Sequence, residues 1–125
     1  MMLGKAVLGI SALAFIGYGF LSLLSPGIPA SFAGIQLSNG DAYAEVGAMY
    51  GGLQTGIGLF CALALLKAEF YRSGLMLLVL AIGALTLARL ISLLTAPDPV
   101  SVYSYGAFGY ELATTLAALT ALLKK

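Results

Sequence analysis

Three ionisable side chains stand inside long apolar stretches: Glu45, Arg89 and Glu111. A charge near mid-membrane costs roughly 2.5–3.5 kcal/mol on insertion scales. Such residues persist where they pair or where they serve a function. Two carboxylates and one guanidinium support two kinds of chemistry. The planar guanidinium can serve two acceptors at once and lock helices in register. The surplus negative charge can instead hold a proton, or meet a cationic or hydrogen-bond-donating ligand.

Helical spacing gives each charge its surroundings. Ala48, Gly52 and Gly56 follow Glu45 on one face and would leave space before the carboxylate. Gln54, nine residues on, falls about 180° away and is placed outside the cluster. Ser92 shares the face of Arg89, and Ser104, Thr114 and Thr115 share that of Glu111. Tyr50 and Tyr110 complete the candidate surroundings, although tyrosines there serve packing as readily as chemistry. The opposite face, with Gly47, Gly51 and Gly58, should contact another helix, because small residues let backbones approach closely.

The elements that position these residues follow from composition. The chain has 125 residues, 61% hydrophobic and 9% charged, with a mean hydropathy of +1.03. A soluble domain carries about 25% charge. A spanning helix needs about 20 apolar residues. Four runs qualify, over about 6–24, 42–66, 74–94 and 102–123. They predict one all-α transmembrane domain over 1–125, a four-helix up-down-up-down bundle joined by short turns. Ser25-Pro-Gly-Ile-Pro stops the first helix. Residues 30–37 are too short to span and suit an interfacial helix or flap. Ser38 and Asp41 stand at capping-box spacing before the second span. Polar turns at 67–72 and 95–100 separate the remaining spans. The first run follows Lys5 and precedes Ser31-Phe32-Ala33, as a secretory signal might, but it is longer than a signal core of about 7–15 residues.

Several function classes find no residues. The chain has no His, and its single Cys61 lies in an apolar run. Intrinsic redox chemistry, a metal site and a cofactor are therefore not expected. A net charge of +1 without a basic stripe argues against nucleic acid. The glycines of 51–58 lack the Lys of a phosphate loop. Gly17-Tyr18-Gly19 lies mid-helix, without the re-entrant segment of a potassium filter.

At ~1.5 Å per residue, Glu45 lies ~6 Å, Arg89 ~9 Å and Glu111 ~13 Å from one surface. The depths allow one Glu45–Arg89–Glu111 cluster in one half of the bundle. Lys5, Lys67, Arg72, Lys124 and Lys125 fall at the other end, and loops 25–41 and 95–101 carry none. The positive-inside rule places both termini in the cytoplasm.

Glu45-Val-Gly-Ala-Met-Tyr-Gly-Gly, an Arg late in span three and a Glu in span four resemble a bacterial family of four-helix inner-membrane proteins, a DUF4345-type domain of unknown function, distantly DoxX-like. The resemblance covers nearly the whole chain. It implies the fold and no established activity. It also implies a basic residue in many members where this chain has Gly47. The expected role is non-enzymatic binding of a small amphiphile, such as a membrane lipid or quinone, beside the charge cluster. The alternatives are an accessory subunit of a larger membrane complex or a homo-oligomer, and a small proton-coupled transporter. The orientation is open to direct measurement. Asn39→Cys or Asp98→Cys should label with an impermeant thiol reagent outside intact cells, and Glu69→Cys should not. The reverse pattern inverts the topology.

Overall fold

The computed structural model describes residues 1–124; Lys125, counted above among the basic residues, lies outside them. Four helices are long and apolar enough to cross a membrane. They are α1 (Met2–Leu24), α3 (Gly40–Leu66), α4 (Ala68–Thr95) and α5 (Val102–Leu123). Between the first two lies α2 (Gly27–Ala33). The helical state follows from the solvent: in hydrocarbon, every backbone N–H and C=O must find its partner within the segment.

The breaks between helices have local causes. Gly34 ends α2 at φ 73°, a conformation that favours glycine, and the Ile35 amide returns to the Ala30 carbonyl at 2.8 Å. The short helix thus begins three residues earlier than the expected interfacial segment. The expected Ser38/Asp41 capping box gives way to Asn39, whose side chain accepts from the Ala42 amide at 2.8 Å. The tight polar turn shrinks to a break at Lys67, since α4 opens directly after it with a 3₁₀ turn over Ala68–Phe70. Ala96 is extended ahead of Pro97, which stops α4.

The bundle is filled at one end and hollow at the other. The core joins Leu8, Phe15, Cys61, Leu75, Leu78 and Ala118, with their neighbours. All but Phe15, just past the middle of α1, belong to the halves of the helices nearest the termini and the Lys67 break. Two contacts tie this end together. The Arg72 guanidinium donates to the Leu122 carbonyl at 3.0 Å, satisfying the last turn of α5. Gly4 leaves room for the Tyr71 hydroxyl. The end bearing α2 and the 96–101 loop has no comparable core.

Helix neighbours explain the hollow. Extensive contact joins α3 to α1, and α5 packs on both α1 and α4. By contrast, α3 meets α4 chiefly near their shared break. Around the bundle the order is therefore α3, α1, α5, α4, with a seam between α3 and α4. The α1–α3 contact runs through glycine. A Cβ on Gly51 would sit 2.6 Å from the Leu23 Cγ, and one on Gly58 would sit 2.7 Å from the Ile16 backbone nitrogen. Gly19 in turn accommodates Thr55. Gly47, expected on this face, meets nothing within 4 Å.

Both α3 and α4 contain a π-helical segment, at Gly47–Gly52 and Leu78–Ile82. The Thr86 hydroxyl donates to the Ile82 carbonyl at 2.7 Å, adding a partner where the second segment ends.

Close packing makes a direct prediction. Overpacking a tight contact costs about 1–3 kcal/mol. Gly51→Leu and Gly58→Leu should therefore lower folded yield and the thermal midpoint in detergent, and Gly47→Leu should behave as the parent does. Equal behaviour of all three would remove the glycine contact as the basis of the α1–α3 interface.

Candidate functional site

Arg89 and Glu111 face each other across α4 and α5. Arg89 Nε donates to Glu111 Oε1 at 2.8 Å, and Arg89 Nη2 donates to Glu111 Oε2 at 2.9 Å. The fork is bidentate, the geometry in which a guanidinium and a carboxylate interact most strongly. Glu111 is 7% exposed. The local helix turn supports it: the Thr115 hydroxyl donates to the Glu111 carbonyl at 2.9 Å. Thr86 and Thr115 bring their hydroxyl oxygens within 3.4 Å across α4 and α5. Each of those hydroxyls already has its single proton engaged with a carbonyl.

The remaining candidate residues separate into two groups. Tyr50 and Tyr110 line the same cavity as the ion pair. Glu45, Ser92, Gly52 and Gly56 are exposed and are not among its walls. Glu45 makes no ion pair or side-chain hydrogen bond among the described residues. The three-charge cluster is thus a two-member pair, and its surplus negative charge disappears. Glu45 lies five residues into α3, at the end of the bundle that bears α2, and the cavity walls on this helix begin one turn further on, at Met49. Ala48, Gly52 and Gly56, expected to leave space before the carboxylate, form an exposed face instead.

Gln54 was missed by the spacing argument, because its position was judged relative to Glu45. It lies one turn beyond Tyr50, and both side chains border the cavity. Helical spacing from Tyr50 rather than from Glu45 would have found it. Tyr18 on α1, considered above only as part of Gly17-Tyr18-Gly19, also borders the cavity, and its hydroxyl is buried without a hydrogen-bond partner.

The cavity measures about 620 Å³ and takes walls from all four long helices. This volume falls in the range of sites for drug-sized molecules. Phe15, Ile57, Ile82 and Leu85 give it an apolar body. Arg89, Glu111, Gln54 and the tyrosines give it a polar region. Tyr103 links this region to α2, since its ring stacks on Phe32 with centroids 6.2 Å apart. The short helix is thereby anchored beside the cavity. Among the described residues, no group of three or more His, Cys, Asp and Glu comes together as a metal site requires.

Chemically, the fork is charge-balanced and rich in donors. Two of the five guanidinium N–H groups are used by Glu111. Both carboxylate oxygens already accept. Breaking one side of a buried pair costs about 3–5 kcal/mol, since the other charge is left unmatched. Arg89→Leu and Glu111→Leu should each reduce folded yield strongly, and the double variant should recover part of the loss. Additive losses in the double variant would show that the pair carries no coupling energy.

Comparison with known proteins agrees with the helical pattern. The family model described as a domain of unknown function, DUF4345, matches residues 3–122. No curated protein and no solved structure matches the chain. With nearly its full length covered, this small multi-span membrane protein belongs to the DUF4345 family of unknown function.

Proposed function

We propose that the protein binds a small amphiphile, a lipid or a quinone, with its polar head beside the Arg89–Glu111 pair. The observation that carries this reading is the cavity of about 620 Å³, apolar over most of its wall and bordered by the ion pair at one region. A membrane interior holds few polar groups, and those present commonly mark a site. The neutral fork favours an acceptor-bearing head over a cationic one. The clustering of Lys5, Lys67, Arg72 and Lys124 at the end opposite the pair supports a bacterial inner-membrane placement with cytoplasmic termini. On that orientation the head binds in the outer half of the membrane.

A second reading, an accessory subunit of a larger complex, is favoured by the exposed face of Ala48, Gly52 and Gly56, around which the structure leaves open space. Purification in mild detergent with mass spectrometry of bound molecules separates the two. The parent should retain an amphiphile, and Ala107→Phe, which fills the cavity, should fold and retain about tenfold less, equivalent to about 1.4 kcal/mol. Equal retention by both, or a stoichiometric protein partner without any bound small molecule, would overturn the cavity reading.

A further inference from the structure

The seam between α3 and α4 has a groove on it. This groove measures about 540 Å³ and is lined by Phe60 from α3 and by Ser73, Met76 and Leu80 from α4. Leu77 and Ala81 line both the groove and the cavity. The two spaces therefore adjoin across the place where α3 and α4 separate. The edge-on contact of Phe60 with Phe70, centroids 6.0 Å apart, lies toward the shared break, where the two helices meet. Leu80 and Met76 are 64% and 44% exposed, so the groove faces the bilayer hydrocarbon.

We infer that this groove holds the hydrocarbon tail of a single-chain amphiphile whose uncharged, acceptor-bearing head occupies the cavity. The inference rests on the amphiphile reading above and specifies which amphiphile it is. The occupant of the groove follows from its continuity with the cavity. A head beside Arg89 directs its tail past Leu85, Ala81 and Leu77 into the groove. Arg89 and Ser73 are separated by 16 residues of α4, or ~24 Å. This exceeds half of a ~30 Å hydrocarbon core, the depth reached by one lipid tail. A groove of about 540 Å³ with six lining residues has room for one chain.

Charge selects the head. Arg89 and Glu111 balance each other, so an ionised head would enter a low-dielectric site without a counter-charge. Donors outnumber free acceptors: the remaining guanidinium N–H groups, the unpartnered Tyr18 hydroxyl and the Gln54 amide all lie on the cavity wall. An ester or ketone oxygen meets these requirements. The seam also gives such a molecule a path from the bilayer, since it arrives sideways between α3 and α4 without leaving hydrocarbon.

The chain contains no Trp, so Leu80→Trp creates a unique reporter on the groove wall. The protein is placed in nanodiscs of unbrominated phosphatidylcholine and titrated with a monoacylglycerol carrying a dibrominated chain. Fluorescence of Leu80→Trp should fall at least twofold and saturate near one equivalent. Leu13→Trp, on the lipid face of α1 and 79% exposed at present, should show only weak unsaturable quenching. A fatty acid with the same brominated chain should bind at least tenfold more weakly at a pH where it is ionised. Thermal stabilisation of the parent by the monoacylglycerol, lost in Ala107→Phe, reports the cavity independently. Stabilisation without saturable quenching at Leu80→Trp overturns the groove assignment and leaves the cavity reading standing. Equal or tighter binding of the fatty acid overturns the uncharged head. If neither compound stabilises the parent, the cavity reading fails and the inference falls with it. Efficient disulfide cross-linking of Leu80→Cys between two copies in native membranes would assign the groove to a protein neighbour and also overturn it.

Discussion

The close approach of α1 and α3 determines much of the architecture. Gly51 and Gly58 bring the α3 backbone against Leu23 and Ile16, and Gly19 receives Thr55 in return. Apolar association in lipid lacks the driving force it has in water, so packing of this kind matters more. Along its length α3 lies against α1, and it meets α4 chiefly near Lys67. The two helices part beyond that break, and both cavity and seam lie where they do so.

The fork between Arg89 and Glu111 performs the complementary task on the opposite wall. It joins α4 to α5 at a level where the apolar core no longer reaches. Two hydrogen bonds in one plane restrain rotation of both helices more effectively than a point contact. Thr86 and Thr115 extend the polar seam one turn closer to the core. One wall is thus held by small residues and the other by charge. The space between them is kept open without a large apolar core at that end.

The spans were legible because hydrocarbon imposes a length and a composition that any four such runs must meet. Arg89 and Glu111 were legible because a charge among leucines and alanines stands out, and their depths matched. Family membership was legible from the Glu45-to-Gly52 stretch together with the Arg and Glu of spans three and four. What failed to read was where along α3 the cavity begins and how the helix turns there. Glu45 was assigned to the cluster on its depth alone, one turn short of the first wall residue, Met49. Gln54 was set aside because its face was judged from Glu45 across Gly47–Gly52, where nothing in the hydropathy announces a π segment. The neighbour order was also hidden. A short connection suggests that α3 and α4 pack together, but it constrains only their joined ends.

The π segment of α3 can be described in units of chain length. A π turn accommodates about one residue more than an α turn, so the segment acts as a one-residue insertion absorbed within a helix. Each residue of an α-helix accounts for about 100° of rotation. The part of α3 before Gly47 and the part after Gly52 therefore present faces that are set independently. One carries Glu45 toward the surroundings, and the other carries Gln54 toward the interior and Gly58 toward α1. Loss of a single residue there would leave hydropathy, charge and span length almost untouched. It would nonetheless act as a frameshift in the geometry of the helix, turning every side chain on one side of the deletion relative to those on the other.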